Sequence, residues 1–452
     1  MALKIAVIGG GPAGYPAAQT AARLGAEVTL IEQAQLGGVC LHCGCIPSKS
    51  LLDAAHRLDI ARDISRFLEG DLTTLPAVSW KNIQKRQQTV TQKLATGVTA
   101  LMKQAKVTVL QGTASFMDAH TLAVQTPEGA QTVAFDKAII ATGSQAFIPA
   151  PFDQLSGCLY DNSTIFQLPA LPNKLVIVGG GAIGCEMATF MAALGVEVHL
   201  IEMQQRLLPA MDEGLARVAT KSLQKRGVHI LTGQAVTQAR IEGKQAILTL
   251  SDGSTLTTPA VLAAIGRSCD LTALHPERAG LTWNRKGLQN VNPINLQVAD
   301  HLYVAGDVTG LCLLAHAGTR QGIVAAQNAC GQSAVYNNAL IPNAVYTFPE
   351  LACVGMSKAQ AQAQGIAIKL HKSYLLANGR AQTMDETEGY VELISQADTG
   401  KLLGANLACA HASELLSALT VAVEAGLTIS QLRQVVFPHP TLSEAIGEAL
   451  AK

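Results

Sequence analysis

The chain has 452 residues, 48% of them hydrophobic and 15% charged, with 33 basic residues against 33 acidic ones. That length exceeds a single hydrophobic core and predicts about three domains. A formal net charge of zero offers a polyanion nothing to hold, which excludes nucleic acid and acidic surfaces as principal partners.

The opening MALKIAVIGGG runs straight into a glycine loop with no cleavage site, and no apolar run reaches the length of a bilayer crossing, so neither a signal peptide nor a membrane span is predicted. Ten cysteines scattered over the whole length suit a reducing compartment rather than a disulfide framework. A soluble cytoplasmic protein is expected. Cys158, Cys185, Cys269, Cys312, Cys330, Cys353 and Cys409 are each isolated and read as buried small apolar residues.

The first element, KIAVIGGGPAGY at 4 to 15, reads as strand, glycine turn and helix, followed by a second strand ending at Glu32. Residues 174 to 185, KLVIVGGGAIGC, repeat it at an offset of 170, and the second LIE ends at Glu202. Gly9 and Gly179 allow the tight turn, Gly11 and Gly181 let backbone approach a pyrophosphate, and Gly14 and Gly184 let the helix lie close. The helix N-terminus supplies free N–H groups for the phosphates, and Glu32 and Glu202 are placed to accept from ribose hydroxyls. Two such copies in full context predict two dinucleotide sites. Glu202 repels a 2′-phosphate, and Met203, Gln204 and Gln205 bring no positive charge, so the second copy favours NAD, with Arg206 the nearest cation. In the first copy Pro16 falls about one turn into the predicted helix, where a missing donor should distort the winding.

Between the copies, GGVCLHCGCIPSKS at 37 to 50 carries Cys40, Cys43 and Cys45 with His42. The spacings resemble fragments of a zinc site, although no second ligand pair follows. CLHC alone matches a thioredoxin-type pairing of Cys40 with Cys43. Further on, AIIATGS (138 to 144, with Thr142 and Gly143) and VLAAIGR (261 to 267, with Gly266) each predict the last strand of a nucleotide domain. HLYVAGDV (301 to 308) ends a strand at Gly306 and Asp307, whose carboxylate could accept from a polyol chain.

These motifs, with LAH at 314 to 316 (containing Ala315), VYTFPE at 345 to 350 and HPTLSE at 439 to 444, resemble the flavin-dependent pyridine nucleotide disulfide oxidoreductases over nearly the full length. The resemblance implies an α/β protein with two Rossmann-like dinucleotide-binding domains and a C-terminal α+β dimerisation domain. Its implied boundaries are an FAD domain of 1–148 and 269–337, an NAD domain of 149–268 and an interface domain of 338–452. It implies Cys40 with Cys45 as the redox pair, leaving Cys43 a buried bystander. By the same analogy Cys45 lies next to the flavin and Cys40 exchanges with substrate. Lys49 would pair with Glu186 at the flavin edge, and His439, oriented by Glu444, would serve as acid–base. The FAD set is then Gly9, Gly11, Gly14, Glu32, Lys49, Thr142, Gly143, Gly306, Asp307 and Ala315, and the NAD set is Gly179, Gly181, Gly184, Glu186, Glu202 and Gly266.

The implied reaction oxidises a dithiol and reduces NAD⁺ in a homodimer. The substrate branch it resembles most acts on dihydrolipoamide carried by a lipoyl domain of a 2-oxo acid dehydrogenase or related complex, and Leu442 lends that branch some support. A mercuric-type relative would carry a cysteine pair near its C-terminus, where EAIGEALAK has none, and a glutathione-type relative would carry basic residues for NADP. Val39 and Phe437 depart from the threonine and histidine usual at those positions. A rival of another class is a non-enzymatic thiol or metal-responsive flavoprotein with Cys40, His42, Cys43 and Cys45 as sensor ligands.

Overall fold

The computed structural model describes residues 2–69 and 77–451. The chain divides into two compact units, one of residues 1–50, 81–147 and 266–338, the other of residues 51–80, 148–265 and 339–452.

In the first unit the strand Lys4–Ile8 lies at the centre of a six-stranded sheet, flanked by Glu27–Glu32 and Lys137–Ile140, with Thr108–Gln111 and Leu302–Val304 outside them in parallel. Gln297–Ala299 closes one edge antiparallel. KIAVI is buried at four of its five positions. A parallel strand covered on both faces requires such a continuous apolar run rather than an alternating one. The helices Gly14–Arg23 and Ala315–Ala329 pack against each other, closely enough that a Cβ on Gly322 would sit 2.1 Å from the carbonyl oxygen of Ala13.

The second unit opens with the same construction. Lys174–Val178 pairs in parallel with Glu197–Glu202 and with Val261–Ala263, and His229–Thr232 and Leu159–Tyr160 complete a five-stranded sheet. The registers Lys4 to Glu27 and Lys174 to Glu197 keep the sequence offset of 170. Its C-terminal part is an antiparallel sheet in the order Asn343–Val345, Glu350–Gly355, Leu402–Cys409, Tyr390–Gln396, Ile368–Tyr374. The helices Ala412–Glu424 and Glu444–Leu450 bury Leu416, Leu419, Ile446 and Leu450 against it. The architecture is the α/β fold with two Rossmann-like sheets and a C-terminal α+β domain that the motifs imply.

Pro16 does not distort its helix. The helix begins at Gly14, so Pro16 is its third residue, among the N–H groups that lack intrahelical acceptors in any case. The missing donor would have faced the Pro12 carbonyl. That oxygen instead accepts from the Thr319 hydroxyl at 2.9 Å, a hydroxyl shared with Ala315 O at 3.1 Å. Thr319→Val should leave the Pro12 carbonyl without this donor and destabilise the unit by about 1–2 kcal/mol. A melting curve superimposable on that of the parent protein would show the contact to be neutral.

Candidate active site

Each glycine turn is built so that only glycine fits at two points. Gly9 and Gly179 have φ of 102° and 107°, and a Cβ on Gly14 or Gly184 would lie 1.7 or 1.9 Å from the carbonyl oxygen of Gly9 or Gly179. A Cβ at Gly181 would meet no protein atom within 4 Å, leaving that approach open to a ligand. The acids at the ends of the second strands are held alike. Glu32 accepts from the N–H groups of Gly10 (2.6 Å) and Ala34 (2.8 Å), and Glu202 from those of Gly180 (2.7 Å) and Gln204 (2.7 Å). Two backbone donors fix each carboxylate at the mouth of its turn, where a ribose diol can donate to the remaining lone pairs. Beside Glu32 lies a cavity of about 350 Å³ bounded also by Ala34, Gln35, Gln92, Thr96 and Gln111, polar enough for the nucleoside end of a dinucleotide. The first unit therefore fits FAD on its own residues.

Arg206 turns onto the backbone that follows it. Its guanidinium donates to the carbonyls of Leu208 (3.1 Å) and Pro209 (2.9 Å), a backbone-capping task that takes it out of phosphate recognition.

The cysteine segment is joined to the first turn by backbone. Gly37 N–H donates to Gly10 O at 2.8 Å, and a Cβ on Gly38 would come within 2.7 Å of Gly11 Cα. Cys40 lies in the short helix Gly38–Cys43, Gly44 breaks it, and Cys45 begins the helix Cys45–Asp63. The Cys40 and Cys45 thiols hydrogen-bond to each other. That bond, then burial, then the Cys45 charge push the Cys40 thiol up, against the Cys45 backbone N–H and the Lys49 ammonium, which pull it down. Cys45 stands at a helix start, where the dipole favours an anion. Burial, and then the Cys40 charge, also raise the Tyr15 phenol, which marks Tyr15 as a neighbour that sequence reasoning missed.

His42 spends Nε2 on the Leu36 carbonyl at 2.9 Å, and Cys43 is half-buried rather than buried. Of the isolated cysteines, Cys158, Cys185, Cys269 and Cys409 are buried as expected, whereas Cys312, Cys330 and Cys353 are only partly so. Burial still pushes Cys269 and Cys353 up to about 11 and Cys409 to about 12, so they stay neutral thiols near pH 7.

Asp307 opens the turn after Gly306, whose N–H donates to Gln321 Oε1 at 2.7 Å. Its Oδ2 accepts from the Ser144 hydroxyl and faces Arg267 Nε at 3.4 Å, while Arg267 also holds the Ser144 hydroxyl at 2.7 Å. Ser144 and Arg267 were quoted in the sequence only as parts of ATGS and AIGR; no local signal shows that two strand-end motifs 123 residues apart lock a third. Thr142 and Gly143 lie in the same strand-end segment, Gly266 follows the strand Val261–Ala263 and begins the last segment of the first unit, and Ala315 begins the helix after Asp307. In the second unit Glu186 is buried in the helix Ala182–Ala193 and accepts from Tyr346 N–H at 3.1 Å.

His439 Nδ1 lies 2.9 Å from Glu444 Oε1, and Glu444 Oε2 accepts from Thr441 N–H at 2.8 Å. The Thr441 amide first and the imidazole second hold the Glu444 carboxyl below the usual range, so it stays ionised opposite His439. The imidazole is 80% exposed in the single chain. Phe437 has a packing task, with Gly447 of the following helix against its ring. Leu442 is 7% exposed in the C-terminal core, so its identity reports packing and not substrate.

Residues 3–332 match the model of the pyridine nucleotide-disulphide oxidoreductases, and residues 341–450 match that family's dimerisation domain. The chain belongs to this family of flavoprotein disulfide oxidoreductases, and its cofactors are FAD and NAD. It is 37% identical to a dihydrolipoyl dehydrogenase of Bacillus subtilis (strain 168), over 99% of this chain and 98% of that one. A Staphylococcus aureus dihydrolipoyl dehydrogenase is 36% identical over 99% and 95%. Among solved structures, LpdA of Mycobacterium tuberculosis superposes with a TM-score of 0.92 at 27% identity, covering 99% of both chains. The HOCl-induced flavoprotein disulfide reductase RclA of Escherichia coli gives 0.87 at 29%, again over 99% of both. No helix among the described residues is long and apolar enough to cross a membrane.

Lys49→Met removes the ammonium that favours ionisation of the pair. Alkylation of the reduced enzyme by iodoacetamide should then set in at higher pH than in the parent; a pH–rate profile that does not move would take Lys49 out of the thiol electrostatics.

Proposed function

We propose that the chain is an NAD-dependent dihydrolipoyl dehydrogenase that oxidises dihydrolipoyl groups carried on the lipoyl domain of a 2-oxo acid dehydrogenase or related complex. The observation that carries the reading is the hydrogen-bonded Cys40–Cys45 pair anchored by backbone to the first dinucleotide turn. The similarity to dihydrolipoyl dehydrogenases over the whole chain supports the choice of substrate.

The chemistry begins with Cys40 and Cys45 as a disulfide. His439, with Nδ1–H donating to Glu444, presents Nε2 as the base that takes a proton from the substrate dithiol. The substrate thiolate attacks Cys40 Sγ, the Cys40–Cys45 bond breaks, and Cys45 leaves as the thiolate. The second substrate thiol then gives up its proton as its sulfur attacks the first, closing a cyclic disulfide; Cys40 leaves, takes up that proton and is released as a thiol, while the first proton stays on His439. One dithiol is oxidised and one disulfide reduced. FAD, when bound, supplies the two-electron relay from this pair to NAD⁺. Gly9, Gly11 and Gly14 would hold its phosphates, Glu32 its ribose and Asp307 its polyol chain; Gly179, Gly181, Gly184 and Glu202 would hold NAD⁺. The exposure of His439 supports action in trans, the imidazole of one copy serving the sulfurs of the other.

Cys45→Ser should abolish dihydrolipoamide-dependent NAD⁺ reduction, and His439→Gln should slow it by roughly 10²- to 10⁴-fold while NADH-driven dye reduction continues. Dimers mixed from the two variants should regain activity, because one of their two sites pairs intact sulfurs with an intact imidazole; mixed dimers as inactive as their parents would place the base in cis. Turnover by Cys45→Ser at the parent rate would remove the pair from the mechanism altogether.

With Glu202 opposing a 2′-phosphate and Arg206 capping carbonyls, kcat/KM for NAD⁺ should exceed that for NADP⁺ at least roughly a hundredfold, about 2.7 kcal/mol. Comparable values for the two nucleotides would contradict this assignment of the second site.

A further inference from the structure

Among the described residues, one group of histidine, cysteine and carboxylate side chains converges closely enough to hold a metal ion, and it lies outside the redox site. Glu197 and His199 stand on one face of the strand Glu197–Glu202, and His229 begins the neighbouring parallel strand, in register with His199. One ligand atom from each of the three lies within 4.8 Å of the others. The imidazoles stack with centroids 4.5 Å apart at 22°, and His199 Nε2 is 2.8 Å from Glu197 Oε1.

We propose that Glu197, His199 and His229 form a binding site for a divalent transition cation of the zinc or copper class. Two imidazole nitrogens and a carboxylate oxygen are the donor set such cations take, with a fourth position left for water. Tetrahedral coordination brings donors to about 3.3 Å of one another, so modest side-chain rotation closes the present triangle. His199 is largely covered, its side chain 14% exposed, so its imidazole is held in place by the neighbouring strands. The opposing group is Lys174, whose ammonium lies 3.1 Å from Glu197 Oε1 and must swing outward when a cation enters.

The first sheet supplies an internal comparison. The positions equivalent to Lys174, Glu197 and His199 are Lys4, Glu27 and Thr29, and the neighbour in register with Thr29 is Thr108. The Lys–Glu pair is therefore common to both sheets, whereas the two histidines stand where the first sheet accepts two threonines. Sheet pairing does not require imidazoles there. The cluster sits at the strand starts, three to five residues and about 10–17 Å along the strand from Glu202, so a bound cation would tie two strands together at the end of the sheet away from the nucleotide crevice.

The test uses FAD-loaded protein with the Cys40–Cys45 disulfide formed, other accessible thiols alkylated, and metal stripped by a chelator. Titration with Zn(II), followed by calorimetry, should show one site per chain, and Cu(II) should give an electron paramagnetic resonance spectrum with two nitrogen ligands. His199→Thr and His229→Thr, residues the first sheet tolerates, should each weaken binding on the order of tenfold or more. NAD⁺ reduction without added metal should be unchanged. Lys174→Met should tighten binding several-fold. Affinity unchanged in both threonine variants, the absence of nitrogen ligation, or no saturable uptake at micromolar metal would each overturn the site, and each would leave the redox assignment untouched.

Discussion

The close approach of Gly38 to Gly11 governs the placement of the chemistry. Two backbones meet with no room for a side chain on Gly38, and the Gly37–Gly10 hydrogen bond closes the same junction. The helix that carries Cys40 therefore starts at the first glycine turn. A larger residue at Gly38 would press on the Gly11 backbone and displace the segment that carries the thiols, whatever their own reactivity.

Given that anchoring, charge decides which sulfur does what. The hydrogen bond between the two thiols lets the reduced pair share a proton. Cys45 heads a helix while Cys40 lies within one, so backbone polarity favours the negative charge on Cys45. In the proposed mechanism proton transfer falls to a separate pair, His439 and Glu444. Glu444 is held ionised by an amide and an imidazole, which fixes the tautomer of His439 and leaves Nε2 as its basic face.

The two dinucleotide sheets show how one construction diverges. Backbone geometry at Gly9 and Gly179, the clash that excludes a side chain at Gly14 and Gly184, and the paired amides on Glu32 and Glu202 are nearly superimposable features of the two copies. What differs lies where the turn imposes nothing: histidines for threonines at the strand starts, and Arg206 curled onto backbone carbonyls beside the second acid.

Much of this was determined by the sequence alone, because glycine turns, strand-end acids and the repeat at 170 residues are constraints of local backbone, and local backbone is written in consecutive residues. The spacing of Cys40 and Cys45 and the HPTLSE stretch were legible through family resemblance, although the spacing by itself left zinc and a Cys43 pairing open. Only the tertiary structure decided the rest. Thr319 covering the carbonyl orphaned by Pro16, Ser144 and Arg267 locking Asp307, Tyr15 beside Cys40, and the imidazole pair at 199 and 229 all join residues far apart in the chain. Such contacts follow from how helices and strands pack, and packing depends on shape complementarity between distant segments that no short stretch of sequence contains.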